Sequence, residues 1–194
     1  MNITFKGVAI GFLAGFAVST VSMSRVQGQA QAPGQAPRGP AVGIVQHMEH
    51  VNITTADASK LAKNIADVLG IPVPPERSAK GVFFAKDYPH DPDAYPKFYT
   101  FQLPNMNLEI MEPVGGKSPW RDALERNGGV SGFHHLEFDV LNMEDAVARF
   151  EAKGAKMSLG NGRAMYAYME SRDMLGFAVE LNRVDATGKK ISFP

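Results

Sequence analysis

Residues 133–140 read Phe133-His134-His135-Leu136-Glu137-Phe138-Asp139-Val140. They echo an earlier stretch, residues 47–55, which reads His47-Met48-Glu49-His50-Val51-Asn52-Ile53-Thr54-Thr55. Both alternate polar and apolar side chains with period two, the pattern of a strand that buries one face. In the later stretch Leu136, Phe138 and Val140 fall on one side, and His135, Glu137 and Asp139 on the other. In the earlier one Val51 and Ile53 alternate with His50, Asn52 and Thr54.

Each stretch leads into a helical pattern. Ala58, Leu61, Ala62, Ile65, Val68 and Leu69 share one stripe of a helix expected over residues 56–69. Thr54 or Thr55 is the expected cap, with Asp57 in the first turn, Gly70 as the stop and Pro72 barring resumption. The second helix is expected over residues 143–153, capped by Asn142, with Asp145 in its first turn. Its stripe is Ala146, Val147 and Phe150, and Gly154 ends it. His50 precedes Gly70 by 20 residues and His135 precedes Gly154 by 19, so the register repeats.

Further strands are expected at 81–85, 97–103 and 107–112 in the first half, and at 155–158, 163–170 and 178–183 in the second. The unit is strand–helix–strand–strand–strand, so the fold class is α+β, two βαβββ modules in tandem over residues 43–184. Each helix should cover one face of its sheet, with a concave face left between two sheets. A short connecting helix is expected within 118–129, capped by Ser118, opened by Pro119 and closed by Gly128. From His50 to Glu109 is 59 residues, but from His135 to Glu180 only 45. The excess lies mostly in residues 86–96 (KDYPHDPDAYP), whose three Pro and three Asp mark a surface loop able to cover a cleft mouth. Residues 185–194 read as a C-terminal tail.

Residues 1–32 are of another kind. Lys6 precedes an uncharged apolar run over residues 7–21, then come Arg25 and small polar residues. That order matches an export signal, cleaved after Ala30 or Ala32, with residues 33–42 a Gly-, Pro- and Gln-rich linker. The protein is then expected in the periplasm or secreted, with no stable membrane partner. If the signal stays, the chain is membrane-anchored, although a run of about 15 residues falls short of the roughly 20 that span a bilayer. Removal of residues 1–32 takes away Lys6 and Arg25 and no acid, leaving 18 basic residues against 20 acidic. That balance offers no footprint for nucleic acid. With no Cys, disulfides, thiolate catalysis and Cys-ligated metals are excluded.

Four residues occupy matching places in the two halves. His50 and His135 lie on the first strands, and Glu109 and Glu180 on the last, each Glu flanked by apolar neighbours. Alternation points each carboxylate away from the face that buries its neighbours. A pseudo-twofold axis would gather all four around a divalent ion: zinc, cobalt, nickel, manganese or iron. The plainer reading also stands at this point, with strand Glu residues facing water and unrelated imidazoles. His134 is expected to point opposite His135, as a packing residue or one that supports the ligands, His47 to lie on the surface, and His90 to sit solvent-exposed or lid-like in the Pro-rich loop.

Residues 108–113 (LEIMEP), Ser118-Pro119 and, most specifically, residues 125–140 (ERNGGVSGFHHLEFDV) carry a family resemblance. The chain resembles the vicinal oxygen chelate superfamily, also called the glyoxalase/bleomycin-resistance/dioxygenase group, and is most similar to its methylmalonyl-CoA epimerase branch. The resemblance covers roughly residues 45–184. It implies a divalent metal held by His50, Glu109, His135 and Glu180, with Glu180 or Glu109 as the catalytic base. The implied function is an isomerase or lyase that removes a proton alpha to a carbonyl of a small-molecule substrate. An export signal and a polar first strand, with Asn52 and Thr54, depart from the pattern of a thioester enzyme. An exported non-catalytic binding protein and a ring-cleaving dioxygenase are the alternatives. Many chains of this fold pair, so a homodimer is an open expectation.

Overall fold

The structure, a computed structural model, describes residues 43–160 and 165–191. The expected export signal and linker lie outside the described residues. The elements run β1 (Val45–Thr54), α1 (Ala58–Leu69), β2 (Arg77–Ser78), β3 (Tyr95–Gln102), β4 (Asn107–Val114), α2 (Pro119–Arg126), β5 (Gly132–Val140), α3 (Met143–Glu151), β6 (Lys156–Leu159), β7 (Tyr166–Glu170), α4 (Arg172–Leu175) and β8 (Ala178–Arg183). The paired-module α+β order is the one the repeat implies, with α2 as connector.

The two halves do not form separate sheets. Their first strands, β1 and β5, pair antiparallel, giving one eight-stranded sheet in the order β2-β3-β4-β1-β5-β8-β7-β6. The order is symmetric about the β1–β5 seam. Fusion satisfies two strand edges that would otherwise present unpaired backbone groups. Within each half the first and last strands run parallel, β1 beside β4 and β5 beside β8.

Both large helices cover the same side of this sheet. Ala58, Ala62 and Ala66 of α1 are buried against Tyr99, Phe101 and Ile110. Met143, Ala146 and Val147 of α3 pack with Val140, Met169, Val179 and Leu181. Small side chains on α1 let the helix approach the sheet closely. The stripe is narrower than the sequence implied: Val68 is 83% exposed and Leu69 52%. Asp57, not a threonine, caps α1 by accepting from the Lys60 amide. Thr55 instead exchanges a hydrogen bond with Ser131. Gly70 closes α1 in the left-handed conformation, and Asn142 and Ser118 cap α3 and α2 as expected.

Two segments depart from expectation. The second strand is two residues at Arg77–Ser78, and residues 81–85 contribute one isolated bridge, Phe84 to Leu159 of β6. This bridge, with Gly160 N donating to Phe83 O, joins the β2 end of the sheet to its β6 end. The concave side holds an open-mouthed cavity of about 1100 Å³. Residues 86–95 do not line it. Tyr88 Oη donates to Asp122 of α2 at 2.7 Å, Asp91 accepts from Gly116 N, and the His90 ring stacks on Phe84. The Pro-rich loop is clamped to α2, and the segments 71–75 and 79–83 contribute to the cavity wall instead.

Candidate metal centre

The β1–β5 seam sets the site. His50 is buried and stands opposite Glu137, and Asn52 stands opposite His135 on one side and Glu109 on the other. Glu180 lies beside Glu137 across the β5–β8 pair. Register therefore places all four expected ligands on adjoining strands of the concave side.

Their tips converge. The Nε2 atoms of His50 and His135 are 2.9 Å apart. Glu180 Oε2 lies 3.0 Å from His135 Nε2 and 3.6 Å from His50 Nε2. Glu109 Oε2 lies 3.5 Å from His50 Nε2. His135 is fully buried, and His50, Glu109 and Glu180 are each less than a tenth exposed. Two sp² nitrogens and two carboxylates in one buried cluster suit a divalent transition ion, whose charge the two carboxylates would offset. The donor set thus fits the metal implied by the sequence.

A β-bulge explains the double histidine. Asn52 pairs with His135 and Ile53 with Phe133, so His134 is the extra residue on β5. Strict alternation would send it to the helix side. Instead its Nδ1 lies 2.9 Å from His135 Nδ1, and it is fully buried. His134 thus backs His135. His47 meets Glu49 at 3.7 Å, away from the cluster.

Four further groups belong to the site. The Asn52 amide donates to Glu109 Oε2 at 2.9 Å, while Thr54 donates to Asn52 Oδ1. Glu137 Oε2 lies 2.8 Å from His50 Nδ1, and Lys190 donates to Glu137 Oε1 at 2.6 Å. Strand alternation from His135 was enough to find Glu137 on the correct side; no local signal marked Lys190. Residues 185–191, read as tail, turn back from β8 so that Lys190 bridges Val184.

Burial and crowding set the proton affinities. Burial alone would lower His50, but Glu109, Glu137 and Glu180 outweigh it and push the imidazole up to about 9. Burial pushes Glu109 up to about 7; His50 opposes this, and Glu180 and Glu137 reinforce it. Burial, then the positive field of His50, holds His135 well below its ordinary value, and burial with His135 does the same to His134. Without a metal, protons take up the excess negative charge of the cluster.

A buried His and carboxylate cluster at the seam of paired βαβββ modules defines a class of small metal-site folds. Residues 49–169 match the Glyoxalase/Bleomycin resistance protein/Dioxygenase superfamily, and the chain belongs to that family. An ethylmalonyl-CoA/methylmalonyl-CoA epimerase of Cereibacter sphaeroides is 26% identical over 148 residues, covering 73% of this chain and 100% of that protein. A single-substitution variant of the Streptomyces coelicolor methylmalonyl-CoA epimerase, in complex with 2-nitronate-propionyl-CoA, is 17% identical. It covers 75% of this chain and 98% of its own, with a TM-score of 0.52. A methylmalonyl-CoA epimerase in complex with methylmalonyl-CoA and NH4+ is also 17% identical, covering 76% and 99%, with a TM-score of 0.52. At that identity the two structures establish the shared fold.

Proposed function

We propose that this protein is a divalent-metal-dependent isomerase or lyase that moves a proton alpha to a carbonyl. The carrying observation is the convergence of the His50 and His135 Nε2 atoms with Glu109 and Glu180 Oε2. The epimerase relative supports the reaction class. A bound divalent ion would supply a Lewis acid for the oxygen that becomes anionic as the α-proton leaves.

The chain's own residues do the rest. His50 and His135 would hold the ion, with His135 backed by His134. Glu109 and Glu180 would offset its charge, and one of them takes the α-proton and returns it. Asn52 keeps Glu109 oriented. The cavity would receive the substrate over the cluster, and Trp120 and Tyr168 form part of its wall. The ring of Tyr168 lies against His135, and burial raises its phenol well above the ordinary value, so it stays a neutral wall group.

The test is exchange of a substrate α-proton for deuterium, followed by NMR. The panel is 2-oxo acids, hemithioacetals and branched acyl thioesters, with zinc-, cobalt- and manganese-loaded protein. Exchange is expected with metal and lost on chelation. Glu109→Gln and Glu180→Gln separate the two candidate bases, since the base variant loses exchange while still holding metal. Metal-loaded protein that exchanges no substrate in the panel overturns the reading. Export belongs to the same proposal and rests on residues 1–32. A recovered protein starting at Gln31 or Pro33 supports it, and an uncleaved chain recovered in the cytoplasmic fraction overturns it.

A further inference from the structure

Glu137 is a third buried carboxylate beside the cluster, only 2% exposed, and neither of its bonds goes to the converging ligand tips. Its Oε2 meets His50 Nδ1 at 2.8 Å, and its Oε1 accepts from Lys190 at 2.6 Å. His50 thus has two different sides. Nε2 faces His135, Glu109 and Glu180, whereas Nδ1 faces Glu137.

We infer that Glu137 is a positioning residue that fixes His50 with its metal-binding Nε2 toward the cluster, and that Lys190, brought by the C-terminal hairpin, holds Glu137 there. The inference rests on the metal reading above.

The chemistry is direct. Glu137 Oε1 accepts from Lys190, and Oε2 sits as an acceptor against His50 Nδ1, so the imidazole is oriented with a proton on Nδ1 and the Nε2 lone pair toward the ion. His135 lacks such an anchor, since its Nδ1 meets the His134 imidazole. The two ligand histidines are therefore held unequally.

Charge supports the same assignment. Glu109 and Glu180 match one divalent ion, which leaves Glu137 as a third buried carboxylate that needs a partner of its own. Lys190 supplies the matching cation. Its approach is built into the hairpin after β8. Asp185 Oδ1 accepts from the Thr187 and Lys189 amides, Asp185 N donates to Lys189 O, and Ile191 N returns to Arg183 O. The last residues of the fold contribute no ligand, yet they complete the charge balance of the site.

The test uses the full chain and zinc alone. Affinity is measured by competition with a chromophoric chelator for the native protein, Glu137→Gln, Glu137→Ala, Lys190→Met and Lys190→Arg. Glu137→Ala and Lys190→Met are expected to weaken zinc binding roughly 10- to 100-fold. Glu137→Gln should fall between Glu137→Ala and the native protein, and Lys190→Arg should recover most of the affinity. In zinc-loaded native protein with nitrogen-15 histidine, NMR should show the His50 proton on Nδ1. This readout needs no variant, so it stands even if a substitution prevents folding. A proton on Nε2, or unchanged affinity in Glu137→Ala and Lys190→Met, overturns the inference and leaves the metal reading intact. Failure of the native protein to bind any divalent ion overturns both.

Discussion

Asn52 of β1 and Glu109 of β4 are register partners, and the fully buried Asn52 amide donates to Glu109 Oε2 over 2.9 Å. The bond ties a carboxylate of one strand to the neighbouring first strand, and the Thr54 hydroxyl extends it by donating to Asn52 Oδ1. Asn52→Leu keeps the volume and removes both functions, leaving Thr54 without its acceptor. A loss of roughly 1–3 kcal/mol is expected, read by urea unfolding of the metal-free protein. An unchanged midpoint would show that the amide is not holding Glu109.

The metal-free protein should lose stability as pH rises from 6.5 to 9. His50 is pushed up to about 9, so its contribution is full below its ordinary 6.5 and gone above 9. Glu109, pushed up to about 7, acts in the same direction, because the folded state holds its proton more tightly than the unfolded chain does. His134 and His135 are held well below 6.5 and oppose folding only under that value. Thermal unfolding across this window checks the sign. Saturating zinc should remove the decline, since the ion replaces the protons.

Proton release follows from the same groups. At pH 7.5 the metal-free His50 is protonated, and zinc must displace that proton. Calorimetric titrations in buffers of different ionisation enthalpy should show net release of protons on binding. Apparent affinity should climb with pH until about 9. A buffer-independent enthalpy would contradict the His50 assignment.

His135→Ala removes the most deeply buried of the four clustered side chains. Metal content of the purified protein is expected to fall from about one ion per chain to a small fraction. Full retention of metal by this variant would remove His135 from the site.

The clamped loop makes a different prediction. Tyr88→Phe removes only the 2.7 Å bond to Asp122. About 1 kcal/mol of stability should be lost, with zinc affinity and α-proton exchange unchanged. If residues 86–96 instead worked as a lid, exchange rates would move with the substitution.

Much of this architecture was readable along the chain. The two alternating stretches at His50 and His135, the helices behind them, and the Glu109 and Glu180 strands recur at matching spacing, because local periodicity encodes which face is buried. The caps Asn142 and Ser118 and the stop at Gly70 are local chemistry and were found where expected. Asp57 replaced the expected threonine cap on α1 because it accepts from the Lys60 amide. That His50, Glu109, His135 and Glu180 would lie together followed from repeat symmetry and alternation.

Other features have no local signature. Antiparallel pairing of β1 with β5 fuses the halves into one sheet, and it depends on which edges meet. The bulge that brings His134 to His135 is a mismatch between two strands and is invisible in either one. Lys190 reaches Glu137 across 53 residues of chain, through a hairpin that has meaning only once β8 lies beside β5. Side-chain periodicity is a property of neighbours along the backbone, so residue order alone could assign faces. Register, bulges and charge pairing are properties of neighbours in space, and they came into being only when the strands were set side by side.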